Sequence, residues 1–407
     1  MRKFPNRKTE NTVRYFLLLV FVLFFFFLSS DFGLIDIQKT AIVMAVGVDR
    51  EEDTFIVTSQ IAVPQSSKQG KSTQTVQIVS RGNTVAQAFE EINAKTGWYP
   101  KLVFCRLIIL GEKTAEKNVF DALDFFLLDE YLSDNCLLAT CDGTAKDLLN
   151  VTALIDPSGS LAMQKVLSPH AERVGATLPS TLREFSIGYF SDGRSAYLPV
   201  LKTQPQQEQI GSSNGGGATQ SGQSESQNGG QTGGQTQDTP VFSAGDTALF
   251  LAGKRVGTLT KEETFAFNAV KSKLRLATYS VAEKDGTYTL NVKRNSPKVQ
   301  FTLGADGRAS YKIQVTLSAG LLDYSNALSL DEGTDAGDVP ETVFANAEKR
   351  LSGQIKTAFE KCRAVNCDIF GLTEELQKKE KDSYQTLRQS VLETAILEVS
   401  VTFRNIR

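Results

Sequence analysis

Histidine is almost absent: the 407 residues hold one, His170. Zinc hydrolysis and Ser/His/Asp or Cys/His catalysis place imidazole in defined roles, so both classes are disfavoured. Cysteine is scarce and odd in number: Cys105, Cys136, Cys141, Cys362 and Cys367. No CxxC pair exists, and a disulfide framework does not suit so large a chain with so few cysteines. Cys105 sits in an apolar run and reads as a buried thiol. Cys362 and Cys367 flank a helix end; their spacing leaves both a bond and two free thiols open. Charge of one sign is also lacking. The net charge is −2, and no basic patch with interleaved aromatics occurs, which argues against nucleic-acid binding. The glycines Gly215–Gly217 are followed by no GK[ST] and open no helix, so they form no phosphate loop. No internal repeat is evident.

Long apolar runs are absent too, with one exception. A basic leader (Arg2, Lys3, Arg7, Lys8, Arg14, against Glu10) precedes an unbroken apolar stretch from Tyr15 to Leu28. This pattern predicts export, with the basic flank retained on the cytoplasmic side. The run is short for a spanning helix. It nevertheless reads as an uncleaved anchor, because Ser29 and Ser30 pair with Phe27 and Leu28 rather than with small residues at a cleavage site. A cleaved signal peptide is the alternative. No cysteine follows the run, so no lipidation site is expected.

Residues 1–35 are therefore assigned to the signal or anchor, 36–203 to a first α+β domain, 204–240 to a Gln/Gly/Ser-rich linker or loop, and 241–407 to a second α+β domain. The segment 204–240 lacks aromatics and cannot bury enough apolar surface to fold alone. In the first block, strands are predicted at Thr40–Asp49, Phe55–Val63, Val76–Val79, Leu102–Leu110 and Leu137–Thr140. Helices are predicted after Thr84, over Val119–Leu128 and from Thr144 to Leu149. In the second block, Thr247–Leu251 is a strand ending in an Ala252-Gly253-Lys254 turn. Asn268–Leu276 reads as helical. Tyr288–Arg294, Lys298–Leu303 and Tyr311–Leu317 read as three strands, the last two joined through Gly304–Arg308. A long helix starts at Pro340–Glu341, with Phe344, Ala347, Leu351, Ile355, Phe359 and Cys362 on one stripe. Ile396–Phe403 closes the chain as a strand. The fold class is α+β, multi-domain, with mixed and antiparallel sheets packed against helices.

Candidate chemistry is sparse. Asp121, Asp124, Asp129 and Glu130 cluster in sequence, and an exported hydrolase would need such a carboxylate pair, but a solvated polar face explains them better. Asp156-Pro-Ser158-Gly reads as a turn rather than a nucleophile elbow. Asn150-Val-Thr152 matches a glycan acceptor pattern that matters only in a glycosylating host. No catalytic, cofactor-binding or metal-binding residue is assigned, and a binding or assembly protein is favoured over an enzyme.

Several segments resemble, in order, the Ger(x)C family, the C subunit of bacterial spore germinant receptors. They are Ala41–Asp49 with its Gly-x-Asp ending, Thr84–Asn93, Leu102–Ala115 with its Gly-Glu, and Leu127–Leu148 with its Ala-Lys-Asp turn. In the second half they are Thr247–Leu259, Glu341–Gly371 ending Asp368-Ile-Phe-Gly371, and the closing VSVTFRN. The resemblance departs in two places. Asp31, Phe32 and Gly33 stand where family members carry a lipobox cysteine followed by Trp-Asp, and Cys105 stands where a histidine is common. The insertion 204–240 is then also readable as a loop inside one domain. The resemblance implies a non-enzymatic receptor subunit without cofactor, on the exported side of the spore inner membrane. It would assemble with two integral membrane subunits, of A and B type; direct contact with the germinant is left open. A membrane-anchored extracytoplasmic ligand-binding protein is the second reading, and predicts a deep cleft with converging polar groups.

Overall fold

The computed structural model describes residues 7–28, 39–63, 74–151, 158–204, 241–271, 273–284, 286–325 and 339–406. Two sheets and their helices form a mixed α+β fold. The first contains β1 (Thr40–Glu51), β2 (Thr54–Val63), β3 (Gln74–Gly82), β4 (Tyr99–Lys101), β5 (Leu107–Leu110), β6 (Leu137–Cys141), β7 (Ser180–Thr181), β8 (Ser195–Gln204), β9 (Val241–Leu251) and β10 (Lys254–Leu259). Its order is β10-β9-β8-β6-β5-β1-β2-β3, with β4 beside β1 and β7 beside β6. The central β1, β5, β6 and β8 run parallel, while β2–β3 and β9–β10 flank them antiparallel.

A parallel centre must be covered on both faces, because crossover helices lie there. Along β5 the side chains alternate accordingly. Ile108 and Leu110 join Val85, Phe89, Leu123 and Phe126 from the helices Val85–Thr96 and Phe120–Leu128. Leu107 and Ile109 face Leu148, Leu149 and Met163 on the opposite side.

The second sheet contains β11 (Ala277–Ala282), β12 (Thr287–Leu303), β13 (Ala309–Tyr324) and β14 (Ile396–Asn405), in that order. Its inner face packs on the helix Glu341–Ala364. The predicted stripe Ala347, Leu351, Ile355, Phe359 and Cys362 is fully buried, with Phe344 at its edge. The other face carries Lys298, Gln314 and Ser400 in one row and Gln300, Lys312 and Glu398 in the next.

Three expectations need correction. Only Leu107–Leu110 of the predicted strand Leu102–Leu110 is a strand, β5; β4 ends before it at Lys101, and the two are separated by a turn in which Cys105 N–H bonds Leu102 O at 2.8 Å. An apolar run does not reveal a buried turn within it. The helix predicted over Asn268–Leu276 lies instead over Lys261–Val270, started by Thr260 and Glu263, which cap each other's backbone. Tyr288–Arg294 and Lys298–Leu303 are one strand. β11 pairs only with Thr287–Val292, so Pro297 falls where β12 has no outer neighbour and withdraws no needed donor.

Gln204 of β8 and Val241 of β9 are register partners, so the strands flanking the insertion are neighbours in one sheet. The cysteines are all free and buried, Cys362 and Cys367 included. The helix Arg7–Leu28 carries exposed apolar side chains from Tyr15 to Phe24. Among the described residues, no helix is long and apolar enough to cross a membrane. Asp31–Gly33, Asp156, Thr152 and Gly215–Gly217 lie outside the described residues.

Candidate functional site

The sequence motifs meet at two junctions. At the first, β1 carries Gly47 and the buried Asp49 among its last paired residues before Glu51. The Asp49 carboxylate accepts the N–H groups of Ala145 (2.7 Å) and Lys146 (3.0 Å), at the start of the helix Ala145–Leu149. Burial raises its pKa above the ordinary carboxylate value, more than the two amide bonds lower it. Gly111 lies so close that a Cβ there would stand 2.0 Å from Asp49 Oδ1. Glu112 fixes the adjoining turn, its carboxylate accepting Gly143 N–H at 3.0 Å. The Gly-x-Asp, Gly-Glu and Ala-Lys-Asp segments are thus one structural lock between β1, β5 and β6.

The second junction joins the two sheets. After the helix Glu341–Ala364, Asp368 Oδ1 accepts Gly371 N–H (2.9 Å) and Leu372 N–H (3.0 Å). Its Oδ2 accepts the N–H and the hydroxyl of Thr373, both at 2.7 Å. These bonds cap the helix Leu372–Lys379. Asp368 N–H also donates to Ser195 Oγ at 2.8 Å, and the Cys367 thiol faces Phe250 O at 3.3 Å, so the segment is fastened to β8 and β9. Tyr311 of β13 donates to Phe370 O at 2.9 Å.

Beside this junction a cleft of about 740 Å³ opens between the helix Leu182–Phe190 and the second sheet. A second lobe shares Phe190, Asp192, Gly193 and Thr373 with it. Ile187 and Phe190 project exposed at its rim, Phe190 at 70%. Acidic groups predominate on the walls: Glu184, Asp192, Asp368, Glu374 and Glu375, against Lys271 and Lys378. Lys271 opens to the cleft but is enclosed by protein around it, and desolvation lowers its pKa. Most of the polar atoms here are already engaged. Asp368 is saturated by the cap, Asp192 accepts the Tyr384 hydroxyl, and the Lys271 ammonium lies 5.3 Å from the Phe267 ring.

The carboxylates singled out in sequence do not converge. Asp121 pairs with Arg50 at 3.0 Å. Asp129 accepts Tyr131 and Leu132 N–H, each at 2.9 Å. Asp124 and Glu130 are exposed. His170 is exposed on a short helix, and Ser158 is buried against Gln60 and Ser160. Among the described residues no group of three or more His, Cys, Asp or Glu could hold a metal. Sequence reasoning missed the cleft and the helix Leu182–Phe190. The signal was present: Thr181-Leu-Arg-Glu184 is a capping box, reciprocal in the structure.

Comparison with known proteins covers both blocks. Residues 34–203 match the spore germination protein N-terminal domain, and residues 245–407 match the C-terminal domain described as spore germination B3/GerAC like. Among solved structures, the crystal structure of the GerBC protein aligns with TM-score 0.53 at 16% identity, over 89% of this chain and 97% of that one. At that identity the likeness concerns the fold. None of the curated proteins is a significant match.

Proposed function

This chain belongs to the GerAC-like family of spore germination proteins, and we propose that it is the non-enzymatic C subunit of a nutrient germinant receptor. In this reading it sits at the outer face of the spore inner membrane, tethered by its N-terminal apolar helix, and docks onto two integral membrane subunits of A and B type. The family match, running in order through both blocks of the chain, carries the proposal. Two features support docking over chemistry. The motif carboxylates Asp49 and Asp368 spend their lone pairs on backbone amides, and large apolar side chains stand exposed at the cleft rim. Exposed aromatics beside acidic groups are the usual makings of an interface.

Deleting the gene in the spore-forming host should abolish germination with the cognate nutrient. Affinity capture of the intact protein from spore membranes should bring down two multi-span proteins. Replacing Phe190 with Asp should reduce that capture while leaving the melting temperature unchanged. Normal nutrient germination of the deletion strain would refute the reading.

The cleft volume favours a second reading, since about 300–1,000 Å³ suits a small ligand. A nutrient that raised the melting temperature of the isolated chain, and lost that effect on Lys271→Glu, would support it.

A further inference from the structure

The first sheet exposes an apolar, aromatic patch at the end where the chain enters it. Trp98, Tyr99, Val103, Phe104, Leu128 and Tyr131 are between 43% and 82% exposed. They come from two segments: the stretch following the helix Val85–Thr96, and the end of the helix Phe120–Leu128. Those helices are locked together by Phe89 stacked on Phe125 at 4.9 Å. The Lys101 ammonium, 4.2 Å over the Tyr131 ring, bridges the two segments. Tyr99 is the register partner of Thr40 in the parallel β4–β1 pair. Thr40 is where the chain arrives from the apolar helix that ends at Leu28. The intervening 12 steps reach at most about 40 Å, so this end of the body cannot leave the neighbourhood of whatever holds that helix.

We propose that this patch is a second membrane contact, inserting at the lipid headgroup–acyl boundary and setting the orientation of the body on the bilayer. The inference rests on the reading of the N-terminal helix as an anchor. That anchor is short: the apolar run Tyr15–Leu28 measures about 21 Å as a helix, against a hydrocarbon core of about 30 Å. No lipidation cysteine follows it. Weak single anchors are made stable by a second membrane signal. Trp and Tyr favour the interface because one ring carries both an apolar body and a polar tip. Asp124 and Glu130 flank the patch, so apolar insertion rather than attraction to anionic lipid drives the contact. It therefore does not depend on salt or on acidic lipid.

Trp98 is the only tryptophan in the chain and reports its own surroundings. The full chain is reconstituted into phosphatidylcholine vesicles, with or without phospholipid brominated near the headgroup end of the acyl chains, and recovered by flotation. Trp98 emission should shift to the blue, be quenched by the bromolipid, and be shielded from acrylamide. Phe104→Glu with Leu128→Glu, both at exposed positions, should abolish the quenching while the chain still floats. Flotation with Trp98 open to acrylamide and unquenched by bromine would overturn the contact and leave the anchor standing. Failure to float would overturn both. A blue shift without bromine quenching that grows with chain concentration would assign the patch to a second copy of the chain, and would also overturn the proposal.

Discussion

Asp49 shows how one side chain can look functional and be structural. It is a buried carboxylate at the end of a parallel strand, where α/β folds often place chemistry, yet both oxygens accept backbone amides that start a helix. Gly111 leaves it room, and Gly111→Ala should destabilise the protein by about 2–4 kcal/mol in chemical denaturation, since a Cβ would overlap Asp49 Oδ1. The raised pKa also fixes a pH dependence. Between the unfolded value, about 3.9, and the higher folded value, the native state binds more proton than the unfolded chain. Stability therefore falls as pH rises through that window and is restored on acidification towards the unfolded value. Melting curves compared with Asp49→Asn should isolate this contribution, and equal pH slopes in the two proteins would disprove it. The thiols give a second residue-scale test. Burial pushes Cys141 and Cys362 up and Cys367 to about 12, while Cys136 is raised by its hydrogen bond with Cys105 and then by desolvation. Such thiols are poor nucleophiles. The native protein should resist thiol reagents, and under non-reducing denaturation five thiols should titrate. A count of three would reveal one disulfide.

At the scale of elements, legibility followed period and length. The helix Glu341–Ala364 and the strands β1, β2 and β14 were readable because their apolar spacing matches 3.6 or 2 over many residues. The helices Leu182–Phe190 and Lys261–Val270 were not. The second is buried all along Glu263–Val270, so it offers no amphipathic stripe. What marks both is a capping box, Thr181 with Glu184 and Thr260 with Glu263. Thr181→Ala and Thr260→Ala should each cost about 1 kcal/mol, measured by urea denaturation. The second substitution also disturbs Glu263, which holds Lys361 of the long helix at 2.7 Å. At the junctions, the sequence displayed Gly-x-Asp and Asp-x-x-Gly as local motifs. Their partners, Ala145 and Ser195, lie 96 and 173 residues away. A contact at that separation leaves no periodic trace, so the motifs were visible while their roles were not.

The whole molecule is organised across the insertion. β8 and β9 pair antiparallel from Ser195↔Leu251 to Gln204↔Val241, so the segment 205–240 leaves and re-enters the fold at adjacent strand ends. β9 and β10 extend the first sheet, and the chain then builds the second sheet and returns at Cys367–Asp368 to fasten onto β8 and β9. The two sheets are thereby tied by the chain running from β10 through the helix Lys261–Val270 to β11 on one side and by the Asp368 junction on the other, with the cleft lined by both ties. Such an arrangement does not need the inserted sequence to hold it. Replacing residues 205–240 with an Asn-Gly turn should preserve the fold. Shorter loop closure should raise stability by up to about 2.5 kcal/mol, and calorimetry should show one transition at an unchanged or higher melting temperature. A variant that lost that transition, or split it into two, would mean that the insertion itself contributes to the contact between the sheets.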